Sequence, residues 1–148
     1  MKELLHKFDE EGAYEFPRNC DLDYSDFEAK AHIVDRRIQK HLSEATSFED
    51  GLSNQDASFS LAIIFDGRSS HSSVALHVPA LRFSNFGLMT TITDESKFSE
   101  SELFEIRKIL AEEGFSYIEP SDLDHAYDGI MSGNKDFDTW RTRYFDWI

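Results

Sequence analysis

The sequence predicts an α+β fold in which an antiparallel β-sheet, a meander plus a C-terminal strand, packs against two main amphipathic helices. Two Ser-x-x-Glu capping boxes each open a run of apolar residues at three- and four-residue steps. Between those runs, residues 58–93 alternate apolar and polar side chains in the two-residue period of half-buried strands. Thirteen Phe, five Tyr and two Trp among 148 residues supply the apolar load of a packed core, and this length suits a single domain over 1–148.

Taken in order, Leu4, Leu5 and Phe8 have helical spacing, while Pro17 biases Phe16 towards extended backbone. Ser25 with Glu28 forms the first capping box, and Asp23 and Asp26 add negative charge where the helix dipole is positive. Phe27, Ala31, Val34, Ile38 and Leu42 then make one apolar stripe, which predicts a helix over about 26–44. Asp50, Gly51, Ser53 and Asn54 read as loop. Phe59, Leu61, Ile63 and Phe65 would share one face of a strand, and a polar loop runs from Asp66 to Ser73. Val74, Leu76 and Val78 alternate as far as Pro79, which demands a bulge or an edge position. Leu81 and Phe83 resume the pattern, Ser84 to Gly87 reads as a turn, and residues 88–93 are rich in β-formers.

Ser99 and Glu102 open the second helix, lined by Leu103, Ile106 and Leu110 and closed at Gly114. Residues 115–118 read as a short strand ended by Pro120. Ser121 and Asp124 mark a short helix holding Leu123, Ala126 and Tyr127, closed by Gly129. The stretch 139–148 is rich in Thr, Trp, Tyr, Phe and Ile, so a final strand tucked into the sheet is expected, although Phe137, Trp140, Tyr144 and Trp147 would also share a helix face.

Charge sets the class of partner. Asp and Glu number 29 against 15 Lys and Arg, a net charge of −14 with a pI near 4.7. Such a surface attracts basic partners and disfavours nucleic-acid backbone and anionic lipid, so neither nucleic acid nor membrane is expected to bind. The same excess also serves plain solubility. The single cysteine, Cys20, can form no internal disulfide. Residues 1–15 hold no apolar stretch of signal-peptide length, and a cytoplasmic location is expected.

Residues that would carry catalysis or a cofactor do not converge in the sequence. His6, His32, His41, His71, His77 and His125 show no zinc-ligand spacing. The serine-rich loop 67–73 lacks a nucleophile elbow, and the glycines are scattered rather than gathered in a phosphate loop. Asp21, Asp23 and Asp26 lack the central glycine and final glutamate of a calcium loop. The expectation is a non-enzyme with no cofactor and no metal.

The segment Pro79-Ala80-Leu81-Arg82-Phe83-Ser84-Asn85-Phe86-Gly87 and the tail Arg143-Tyr144-Phe145-Asp146-Trp147-Ile148 resemble small bacterial immunity proteins of contact-dependent growth inhibition systems. That resemblance implies stoichiometric neutralisation of a cognate toxin domain, such as a basic nuclease, by a monomer in a one-to-one complex. It transfers no binding residues. Acidic residues beside aromatics, the composition of a charged rim around a buried anchor, give three candidate clusters: Asp21, Asp23, Tyr24 and Asp26; Asp124, Tyr127 and Asp128; Asp136, Phe137 and Asp138. Each has a plainer reading, as helix cap, core tyrosine and solvated loop respectively. The alternative function is a non-catalytic structural or regulatory module acting as a homodimer through the β-rich segment or the aromatic tail.

Overall fold

The computed structural model describes residues 1–9, 13, 23–51, 56–71 and 76–146. Asp21, Cys20, Pro17, Ser53, Asn54 and all of residues 72–75 therefore lie outside the described residues, as do Trp147 and Ile148. The elements in chain order are α1 (Lys2–Lys7), α2 (Tyr24–Leu42), β1 (Ser47–Glu49), β2 (Phe59–Ile64), β3 (Ser70–His71), β4 (Leu76–His77), β5 (Ala80–Ser84), β6 (Met89–Ile92), α3 (Glu100–Glu112), β7 (Ser116–Tyr117), α4 (Pro120–Leu123) and α5 (Trp140–Tyr144). The fold is α+β.

A five-stranded sheet has the order β1-β2-β5-β6-β7. Its first four strands are an antiparallel meander, interrupted only by the small β3–β4 ribbon between β2 and β5. β7 departs from the meander and runs parallel to β6. The cause is the intervening helix: α3 carries the chain back along the sheet, and a crossover of that kind delivers a parallel strand.

The helical stripe packs where its spacing places it. Phe27, Ala31, Val34 and Ile38 of α2 and Ile106, Ile109 and Leu110 of α3 are buried against Leu61, Ile63, Leu81, Phe83 and Ile92. Phe27 meets Phe83 and Phe115 edge-on at centroid distances of 6.3 and 6.0 Å, geometry that adds about 0.5–1.5 kcal/mol per pair beyond area burial. α3 begins on the predicted Ser99–Glu102 capping box and ends before Gly114, whose φ of +86° suits glycine.

Four expectations are corrected. The short helix expected to hold Leu123, Ala126 and Tyr127 and to close at Gly129 ends at Leu123, because Ala126 pairs with Thr139 as a β-bridge. α2 starts at Tyr24 rather than 26, because Asp23 and not Ser25 is its cap, and it ends at Leu42. Phe59 leaves the face of Leu61 and Ile63: it opposes Ser84 while Leu61 opposes Phe83, so Ser60 is an extra residue in β2. Such a bulge turns Phe59 to the other face, where it joins Ala57 and Ala62 and lies 4.4 Å from the Arg82 guanidinium. The expected C-terminal strand is instead the helix α5. Thr139 and Thr142 cap each other's backbone, and the Trp140 and Tyr144 rings stack one turn apart at 5.7 Å. Burial of that face outweighs the strand propensity of its residues.

The second face of the sheet is covered by the C-terminal segment and α1. By alternation from Thr91, Met89 points away from the α2–α3 layer, and it is buried with Leu5, Phe86, Ile118, Leu123, Tyr127, Phe137, Trp140, Tyr144 and Phe145. Arg82 donates to the Phe145 carbonyl at 2.6 Å, and Ser58 N–H donates to the Asp146 carbonyl at 2.9 Å, which fixes the chain end on the sheet. Among the described residues, no helix is long and apolar enough to cross a membrane.

Candidate partner-binding surface

The C-terminal layer is built around a buried charge. Asp9, just after α1, receives the Arg143 guanidinium at 2.9 Å, and both side chains are fully enclosed. The Tyr127 hydroxyl donates to the same carboxylate at 2.7 Å, and the Ile130 backbone N–H donates to it at 2.8 Å. Tyr127 in turn accepts from Met131 N–H at 3.0 Å. An isolated buried carboxylate costs several kcal/mol, and several donors on one oxygen pair are what makes the burial tolerable. Burial first, and the bond to Asp9 second, push the Tyr127 phenol up to about 12. The Arg143 guanidinium also lies 4.2 Å from the Phe86 ring centroid. Tyr144 ties α5 to α1 by donating to the Leu5 carbonyl at 2.6 Å.

This network holds the 127–139 loop from beneath. Ala126 and Thr139 close the loop as an antiparallel bridge, Tyr127 N–H donates to the Asp138 carbonyl at 3.1 Å, and Phe137 meets Tyr127 edge-on at 5.7 Å. Gly129 is pressed against the network: a Cβ there would lie 2.0 Å from Asp9 Oδ2 and 2.5 Å from the Tyr127 ring. On its outer side the loop shows Ile130, 60% exposed, with Asp128, Asp136 and Asp138 also in solvent. Ile130 is one of four large apolar side chains exposed among the described residues, with Met1, Tyr24 and Phe104, and of these it is the one on the 127–139 loop.

The candidate residues from the sequence divide accordingly. Asp23 caps α2, accepting from Ser25 and Asp26 N–H at 3.0 and 3.3 Å. Tyr24 is exposed beside Phe27, and Asp26 pairs with Lys30 at 3.0 Å. This cluster sits with α2 on one face of the sheet. The structure brings the other two clusters together on the opposite face through the Ala126–Thr139 bridge. Within them, Tyr127 and Phe137 are buried at 7% and 4%, so these two are core anchors of the loop rather than partner-facing rings. Asp124 is paired with Arg141 at 2.8 Å, and Asp128 with Lys2 at 2.6 Å and His6 at 3.2 Å. Lys2 holds the Asp128 carboxyl below the usual carboxylate range. Asp136 and Asp138 are exposed and, among the described residues, in no ion pair.

Beside this loop lies a pocket of about 190 Å³ between α1 and the 122–128 segment, lined by Lys2, Leu5, Asp122, His125, Ala126, Asp128 and Trp140. No protein-family model, curated protein or solved structure matches this chain.

Reading the sequence missed Asp9, Arg143, Ile130 and Lys2. Arg143 carried a usable signal: on a helix it shares the side of Trp140 and Tyr144, and an arginine among buried aromatics requires a buried partner. Asp9 carried none, since its partners lie more than 100 positions away.

Proposed function

We propose that this chain is a toxin-neutralising immunity protein, a stoichiometric inhibitor that covers a basic protein surface with its 127–139 loop and acts without turnover. The observation that carries this reading is the exposed Ile130, held by the Asp9–Tyr127–Arg143 network and surrounded in sequence by the exposed Asp128, Asp136 and Asp138. A fixed loop loses little entropy on binding, the apolar side chain supplies contact area, and the carboxylates steer a basic partner. The acidic balance of the whole chain, −14, supports the same class of partner. The resemblance of residues 79–87 and 143–148 to immunity proteins gives that partner a kind: a toxin domain, with a basic nuclease domain fitting the charge.

The test is co-purification with the toxin domain encoded beside this chain. A one-to-one complex is expected, and Ile130→Asp should weaken it by about tenfold or more, the loss typical of a central contact. A complex unaffected by Ile130→Asp, or no protection against the adjacent toxin, would remove this reading. Homodimerisation through the aromatic tail is disfavoured, because Trp140, Tyr144 and Phe145 are buried within the chain itself. Sedimentation of the isolated protein checks that, with a monomer expected.

A further inference from the structure

We propose that the pocket between α1 and the 122–128 segment receives one cationic side chain, a lysine or an arginine, from the basic partner, and that Lys2 stands in for it in the free protein. This rests on the reading of the 127–139 loop as the partner surface, because Asp128 belongs to both.

Size decides the class of occupant first. At about 190 Å³ the pocket falls below the roughly 300–1,000 Å³ of sites for drug-sized molecules. It suits a single extended side chain. Its lining is divided in the way such a side chain is divided. Ala126 offers exposed surface to an aliphatic stem beside the buried Leu5 and Trp140, and Asp122 and Asp128 offer carboxylates to a charged head. Among the lining side chains two carboxylates stand against the single Lys2 ammonium, so a cation is attracted and an anion is repelled.

The Lys2–Asp128 contact supplies the second line of argument. Lys2 Nζ already makes, at 2.6 Å, the contact that an incoming ammonium would make. Yet the Lys2 side chain is 71% exposed and that of Asp128 49% exposed, so the pair is held loosely and Lys2 can swing into solvent at little cost. His6 approaches the other oxygen of the same carboxylate at 3.2 Å, which keeps Asp128 at the pocket when Lys2 leaves. His125 is fixed at the wall by its ring nitrogen, 3.2 Å from the Asp122 carbonyl.

The test needs no partner. The full-length protein labelled with ¹⁵N is titrated with n-butylammonium and n-propylguanidinium, analogues of the Lys and Arg side chains, and with n-butanol as the neutral control. Saturable shifts of the Trp140 indole and Ala126 amide signals are expected with the two cations and not with butanol. Lys2→Ala should tighten cation binding about two- to five-fold by removing the internal competitor, and Asp128→Asn should abolish it. Absence of saturation with both cations, equal binding of butanol, or unchanged binding in Asp128→Asn would overturn the proposal. Because Ile130 is outside the pocket lining, the two readings fail separately. If the cations do not bind while Ile130→Asp still breaks the toxin complex, only the pocket proposal falls. If they bind while Ile130→Asp leaves the complex intact, the pocket binds cations but the loop reading on which its role depends falls.

Discussion

Asp9 and Arg143 join residues 134 positions apart, and both side chains are closed off from the protein surface. Removing one partner strands the other, which costs far more than the pair contributes when intact. Arg143→Met is therefore expected to lower unfolding stability by about 3–5 kcal/mol, read from urea denaturation. Asp9→Leu should cost a similar amount, and the double variant should lose clearly less than the two single losses added. Strict additivity would show that the two charges do not depend on each other. Hydrogen exchange gives a local readout of the same variants: the Ile130 and Met131 amides should lose protection first, since they donate to Asp9 and to Tyr127. At this scale little was legible beforehand. A sequence displays Tyr127 and Phe137 as aromatics beside acids, but burial at 7% and 4% is a consequence of which distant segments close over them. The exposed Ile130 stands out only once those neighbours are known to be core.

The elements were legible wherever a local signal and the tertiary contacts agree. α3 begins and ends where its capping box and Gly114 say it should, because caps act within four residues. α5 was misread because its strand-forming composition is a weak preference, whereas the stacked Trp140 and Tyr144 and the inward Arg143 are tertiary facts. Phe59 was misplaced for a different reason: a single extra residue in β2 reverses the face of everything before it, and no periodicity marks the site. α2 allows a capping role to be separated from a binding role. Asp23 accepts two backbone N–H groups, so Asp23→Ala should destabilise the protein by about 1 kcal/mol in urea denaturation. The same variant should leave affinity for the proposed basic partner unchanged, since α2 and the 127–139 loop lie on opposite faces of the sheet. Loss of affinity at unchanged stability would return Asp23 to the partner surface.

Across the whole molecule, the charge excess that defines this chain is moderated by a few arginines that bind acids from several elements at once. Arg68, in the turn after β2, reaches Glu44 beyond α2 at 2.8 Å, and Glu102 in α3 at 2.6 Å, and donates to the Lys97 carbonyl at 2.8 Å. It also lies 4.4 Å from the Phe98 ring centroid. One residue thus ties the ends of both long helices to the sheet. The Arg68 hydrogen bonds, followed by the Ser99 N–H, lower the Glu102 carboxyl from its ordinary 4.5 to about 2. A folded-state value below the unfolded one gives stability that is complete above about 4.5 and is lost as pH falls through about 2. Because the site is partly open to solvent, the contribution is discounted to about 1 kcal/mol. Glu102→Gln should therefore be less stable than the parent by that amount at pH 7, with the two urea midpoints converging as pH is lowered towards 2. The comparison cancels the titration of the other carboxylates, which both proteins share. A gap that stays constant down to pH 2 would mean that the Arg68–Glu102 contact works through shape and capping alone, and that charge does not hold the helix layer to the sheet.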